Sequence, residues 1–410
     1  MASPADSAPT PRLRLIPIVA LALLLRLAIV AVTAKTHSAA WFFGEATELG
    51  RLAESLRTGH GLSSPFGGST GPSAFLSPGY PAIVAAVFAI FGSYSFASAV
   101  VIMCLQALFG AATVMVTMML SRRIFGVTAA NVAGLICALA LPALFLPILF
   151  WETSLSVLLA TSLFALTLRC AEDATWSNWV GMGVLSAAAL AVNPSLLPIL
   201  VCCFGWAAYQ SRSKFMRKPL AGALFCLLLS APWAIRNYYE LHAFIPFRSN
   251  VGYELWQGNR PGSDGFFLAG LHPNVNAAEF RRYETVGEVE YMHEKSVVAK
   301  DNIAAHPGWF LGLTLKRAFY FWIGIVRQSS GLVIAYIVLT SLLGFTGLGM
   351  LWRRDKTLAV YFLLPLMLFP IPYYITHPDY RFRLVIDPVL AALAAYAVTA
   401  RKRTDLAVDL

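Results

Sequence analysis

The chain has 410 residues, 58% hydrophobic and only 13% charged, with a formal net charge of +10. Soluble domains carry about 25% charged residues, so this composition excludes a soluble enzyme; with uncharged runs of about 20 residues recurring throughout, it reads as an all-α polytopic membrane protein. The basic excess does not point to nucleic acid, because the Lys and Arg sit in short clusters at the ends of apolar runs, where they report topology.

Residues 1–10, rich in Pro, Ser and Ala, read as a disordered tail. The run Leu15 to Ala34 is followed by no small-residue cleavage site and is taken as a span rather than a signal peptide. Arg12 and Arg14 before it place the N-terminus in the cytoplasm and the next polar stretch, Trp41 to Pro81, outside. Within that stretch Leu49, Leu52, Ala53 and Leu56 recur three and four apart, which predicts an amphipathic helix on the outer leaflet. The apolar piece Tyr80 to Phe91 is too short for a span and is expected at the outer interface.

The following runs alternate inward and outward: Ala97 to Leu120, Val127 to Leu144, Pro147 to Leu168, Val180 to Val192, Ser195 to Tyr209 and Leu220 to Ile235. After a long outer segment, Arg236 to His306, the run Trp309 to Ile325 carries Lys316 and Arg317 mid-run and is expected to lie along the outer surface. Leu332 to Trp352, Leu358 to Tyr374 and Val385 to Ala400 complete about ten transmembrane helices. With this assignment the clusters Arg122-Arg123, Arg169, Arg212 to Lys218, Arg353 to Lys356 and Arg401 to Arg403 all fall inside. The chain then divides into an N-terminal transmembrane module, 1–235, with its first outer loop at 35–96; an extracytoplasmic loop and juxtamembrane helix, 236–330; and C-terminal transmembrane helices, 331–410. Residues 35–80, 236–306 and Thr376 to Arg383, the polar regions that can build a site, all face outward. All six cysteines lie in or beside apolar runs, without metal-ligand spacing, so neither a disulfide nor a cysteine metal site is expected.

Two acids of the first outer loop are candidate general bases. Glu45 stands behind Trp41, Phe42 and Phe43, where aromatics exclude water and raise a carboxyl's affinity for its proton; Glu48 lies one turn on. The competing reading is a solvated helix face with Glu48 paired to Arg51. Arg236, Lys316, Arg317, Arg381 and Arg383 are candidates for a lipid-borne phosphate, against the alternative of snorkelling anchors. Tyr80, Asn250, Glu254, Trp256 and Asn259 are candidate substrate contacts, with the stacking and hydrogen-bonding groups that suit a sugar. Glu290, His293 and Glu294 have the spacing for a divalent metal, and equally that of a charged, solvated helix.

Gly44-Glu45 leading into LGRLAESLRTGHG, then SPGYPAIVAAVFAIFG, SRRIFG, PWAIRN and YRFRLVIDPVLAALAAYAV, resembles in order and sidedness the family-39 branch of the C-type membrane glycosyltransferases. That branch includes protein O-mannosyltransferases and lipid A aminoarabinose transferases. The resemblance implies an inverting enzyme of the cell (inner) membrane that moves a sugar from a polyprenyl-phosphate donor to an extracytoplasmic protein, lipid or glycan. It implies a catalytic acid in the first outer loop, at the matching position Glu45 with Glu48 as the near alternative, and donor-phosphate contacts at Arg236 and Arg381, with Arg383 a weaker match. A flippase of lipid-linked sugars and a non-catalytic membrane scaffold are the alternative readings.

Overall fold

A computed structural model describes residues 12–44, 46–211, 216–325 and 329–408. Residues 1–11, Glu45, Arg212 and Lys214 lie outside this set. The described residues form helices and turns with no β-strand; their only strand-like pairing is an isolated bridge between Ser63 and Pro72.

Among the described residues, six helices are long and apolar enough to cross a bilayer: Leu15–Thr36, Phe96–Phe125, Thr153–Glu172, Arg217–Leu241, Gly331–Arg354 and Lys356–Ile375. A seventh crossing is formed if Val127–Ala138 and Leu141–Ile148, bent by 54° at their junction, act as one span. Gly79–Phe91, Trp176–Val192, Pro194–Gln210 and Asp387–Ala400 are apolar but shorter than the roughly 20 residues that 30 Å of hydrocarbon requires. Length and composition therefore support six or seven spans, not the ten expected. The pieces of sequence were found, but several are helices too short to cross alone.

The helix ends sort by side. Arg123 pairs with Glu172, Lys218 donates to the carbonyl of Ala174 at 2.6 Å, and the indole of Trp206 donates to the carbonyl of Thr357 at 2.9 Å. Asn131 closes the same face by bonding Arg12 and Arg14 backbone atoms at 2.9 Å. The basic ends thus collect on one face.

Close helix contacts depend on small residues. A Cβ on Gly347 would lie 2.0 Å from the Leu393 carbonyl oxygen, and one on Gly183 would lie 2.2 Å from that of Gly222. Such approach is how helices associate where apolar burial gives no net drive. At the other end of the bundle from the basic helix ends, a second core joins the first polar stretch to the long segment 236–306: Phe42, Phe43, Phe66, Phe75, Phe88 and Phe150 pack with Tyr80, Tyr253, Tyr283 and Tyr291. Phe43 meets Phe88, Tyr94 and Phe150 edge-on at centroid separations of 5.0–5.5 Å, a favoured aromatic geometry.

Candidate active site

Glu48 opens the amphipathic helix Thr47–Arg57, whose Leu49, Leu52 and Ala53 are buried in the aromatic core. The same face takes Glu48 inward, to 5% exposure. Asn274 from the long outer loop donates to its Oε2 at 2.8 Å, and accepts from Arg51 at 2.8 Å through its other amide atom. Burial pushes the Glu48 carboxyl up to about 7, and this outweighs the opposing hydrogen bonds and the charges of Arg51 and Arg381. Glu48 is therefore a buried acid reached by two cations, and not a solvated one.

Arg381 comes from the short helix Tyr380–Leu384, which precedes the last helix. Asp379 takes its Nε and Nη2 at 3.1 Å each, and its guanidinium lies 4.6 Å from the ring centre of Trp151. Next to Trp151, Glu152 pairs with Arg248 at 3.2 Å, and Arg248 also donates to Ser77 Oγ and the Val192 carbonyl. Glu254 accepts from Asn250 at 3.0 Å and meets His377 Nε2 at 2.7 Å. Burial works against the Glu254 charge, but His377, Arg248 and His272 hold its carboxyl below the ordinary value. His272 is pushed down to about 4, first by burial and then by Arg51, against the pull of Glu254. Glu48, Arg51, Glu152, Arg248, Glu254, His272, His377, Asp379 and Arg381 thus form one electrostatic cluster.

The other expected residues fall in different places. Arg236 binds the carbonyls of Leu62 and Ser73 at 2.8 and 2.9 Å. With Glu288, which accepts from Ser73 Oγ at 2.5 Å and the Ala74 amide at 2.7 Å, it clasps the glycine-proline loop to the outer helices. Arg317 is 1% exposed and donates to the carbonyls of Gly258, Gly265, Tyr374 and Ile375 and to Asn259 Oδ1. Lys316 reaches the Asp264 carbonyl at 2.9 Å. Arg383 turns into the helix bundle, pairing with Asp387 and donating to Ile337, Thr340 and Ser341.

Tyr80 is buried within electrostatic reach of Glu152. The ring of Trp256 is covered by the Lys295 ammonium at 3.9 Å, and Asn259 binds the Ile375 carbonyl at 2.8 Å. Glu294 pairs with Arg282, and among the described residues no group of three His, Cys, Asp or Glu is placed to hold a metal ion.

Sequence reading did not single out Glu152, Arg248, Asn274, His377 or Asp379 as site residues. For His377 and Asp379 a signal was present, four polar or charged residues crowding Thr376 to Arg381 just before an apolar run. Asn274 gave none.

No family model matches the sequence, and no curated protein sequence matches it. Solved structures do. The crystal structure of the Archaeoglobus fulgidus oligosaccharyltransferase in complex with Zn and sulfate is 14% identical, with a TM-score of 0.57 over 94% of this chain and 48% of that one. The oligosaccharyltransferase AglB from the same organism, in complex with an inhibitory peptide and a dolichol-phosphate, is 13% identical, with a TM-score of 0.55 over 94% and 50%. ArnT from Cupriavidus metallidurans in the apo state aligns over 92% and 77% at 13% identity, with a TM-score of only 0.37. The chain spans about half the length of the oligosaccharyltransferase structures it matches. It shares their fold, so the likeness to C-type membrane glycosyltransferases read from the sequence holds at the level of fold.

Proposed function

We propose that this protein transfers a sugar from a polyprenyl-phosphate donor to an acceptor on the extracytoplasmic face of the cell (inner) membrane, by a single inverting displacement. The observation that carries the reading is the pairing of a buried carboxyl lifted to about 7, Glu48, with a cation within its electrostatic reach, Arg381. A base poised near working pH suits proton removal from an acceptor hydroxyl or amine. A guanidinium suits the charge that develops on a departing phosphate. The shared fold with an oligosaccharyltransferase crystallised with a dolichol-phosphate supports the same class of donor.

In this reading the modules 1–235 and 331–410 hold the lipid, and the outer region 236–330 closes over the sugar. Glu48 takes the acceptor proton as the acceptor attacks C1, and the phosphate leaves from the opposite side toward Arg381. Asn250 and Glu254 flank the sugar. Arg236, Arg317 and Glu288 hold the loops that carry these groups. The acceptor is a protein, lipid or glycan bearing a nucleophilic oxygen or nitrogen.

The test is transfer of label from a panel of radiolabelled polyprenyl-phosphate sugars by the purified full-length protein, with envelope extract as the acceptor source. Transfer from at least one donor is expected, reduced about 100-fold or more in Arg381→Gln. Transfer from none of them, with the donors bound, overturns the reading in favour of a flippase or scaffold.

A further inference from the structure

We propose that His377, held through Nε2 by Glu254, donates a proton from Nδ1 to the phosphate of the lipid donor beside Arg381; this rests on the transferase reading above. The imidazole is only 6% exposed. Its Nε2 lies 2.7 Å from Glu254 Oε2, and the other oxygen of that carboxylate is occupied by Asn250 at 3.0 Å. The ring packs against Phe267 and Phe382 at centroid separations of 5.4 and 5.9 Å. Its second nitrogen, Nδ1, is buried and makes no hydrogen bond to the described residues.

A buried ring nitrogen without a partner is costly, and is characteristic of groups that meet a ligand. The fixed carboxylate-imidazole pair gives the ring one orientation, the arrangement that prepares histidine for proton transfer. Three further points argue for a phosphate next to it. His377 lies just before the short helix Tyr380–Leu384 that carries Arg381, with Asp379 within electrostatic reach of both. Asp379 engages Nε and Nη2 of Arg381, so this cation is partly committed before any ligand arrives. A departing phosphate gains a full charge, and a second donor is needed to meet it.

The step balances. The bond between C1 and the phosphate oxygen breaks and its electron pair stays on that oxygen, which takes the Nδ1 proton. The acceptor bonds to C1 and its proton passes to Glu48. Imidazole and carboxylic acid then exchange protons with solvent to reset the site. Glu254 is a positioning residue in this scheme.

The charged and titratable groups around the ring are Glu254 from the outer-loop helix Val251–Asn259, with Asp379 and Arg381 just after it in the chain. Arg248 and His272 act on it through Glu254, and Glu48 through Arg381. The experiment isolates His377 from these groups. Full-length protein in nanodiscs is titrated with undecaprenyl methyl phosphate, a diester whose single charge stays constant, in a Glu48→Gln background that removes the Glu48 titration.

Affinity is expected to be about tenfold higher at about pH 5.5 than at about pH 8.5, as it must be if Nδ1 carries the proton that meets the phosphate. The dependence should vanish in Glu48→Gln/His377→Gln and shrink in Glu48→Gln/Glu254→Gln, which keeps the ring if the first variant fails to fold. An unchanged pH dependence without His377 or its holder, a uniform loss at every pH, or no binding of the diester overturns the proposal. Binding as expected together with no sugar transfer from any donor overturns the transferase reading while leaving the phosphate contact standing.

Discussion

At the residue scale the account turns on where single charges are buried. Glu48 keeps its proton up to about pH 7 because burial outweighs Asn274, Arg51 and Arg381. In a His377→Gln background, where donor binding is expected not to vary with pH, kcat/KM is therefore expected to rise with pH through about 7 as the base form appears. Glu48→Gln should lower it by about 10²–10⁴-fold and abolish that rise, as a pH-rate profile of the two proteins will show. Stability runs the other way. The unfolded chain releases this proton near the ordinary 4.5 and the folded chain near 7, so ionising the buried acid weakens the fold as pH rises through that window.

Arg317 gives a second test. Its donors meet four backbone carbonyls and one side-chain amide oxygen, and no carboxylate is among these five. Burial lowers its own proton affinity, to about 10, against a smaller pull from Asp264. A lysine has three donors on one point charge and leaves buried carbonyls unmet. Arg317→Lys should cost about 3 kcal/mol, read as a lowered melting temperature of the detergent-solubilised protein.

At the element scale, the helices were legible because each carries its own signal. The heptad-like spacing of Leu49, Leu52, Ala53 and Leu56 appears in the structure as Thr47–Arg57, and Trp309 to Ile325 appears as Pro307–Ile323. What was not legible is which arginines face the site and which hold loops. Arg236, Arg317 and Arg381 have the same local look, an arginine beside apolar or aromatic residues near a helix end. Only long-range contacts separate them: Leu62 and Ser73 for the first, Gly258 and Ile375 for the second, Asp379 and Trp151 for the third.

One glycine ties these elements to the chemistry. A Cβ on Gly258 would sit 1.8 Å from the Thr376 carbonyl oxygen, which neither backbone can accommodate in place. Gly258→Ala must shift the segment that carries His377 and Arg381. Transfer is expected to drop about 100-fold while helix content, measured by circular dichroism, stays unchanged.

At the scale of the whole molecule, composition alone established a membrane protein, and the basic clusters anticipated the grouping of helix ends. The span count was less legible, because a run of 13 to 17 apolar residues reads much the same whether it crosses, dips or lies at the surface. The positive-inside rule puts the cluster of Glu48 and Arg381 outside. Single cysteines at Thr70 and at Arg354, in a background without the native six, should separate the faces. A membrane-impermeant maleimide is expected to label intact cells at the first position and only lysed cells at the second.

The most direct test of the central claim is sugar transfer by wild type, Glu48→Gln and Glu45→Gln, assayed side by side with the same radiolabelled polyprenyl-phosphate donors. The account predicts transfer by wild type, loss of at least about 100-fold in Glu48→Gln with donor binding retained, and a smaller effect of Glu45→Gln. Full transfer by Glu48→Gln would contradict it.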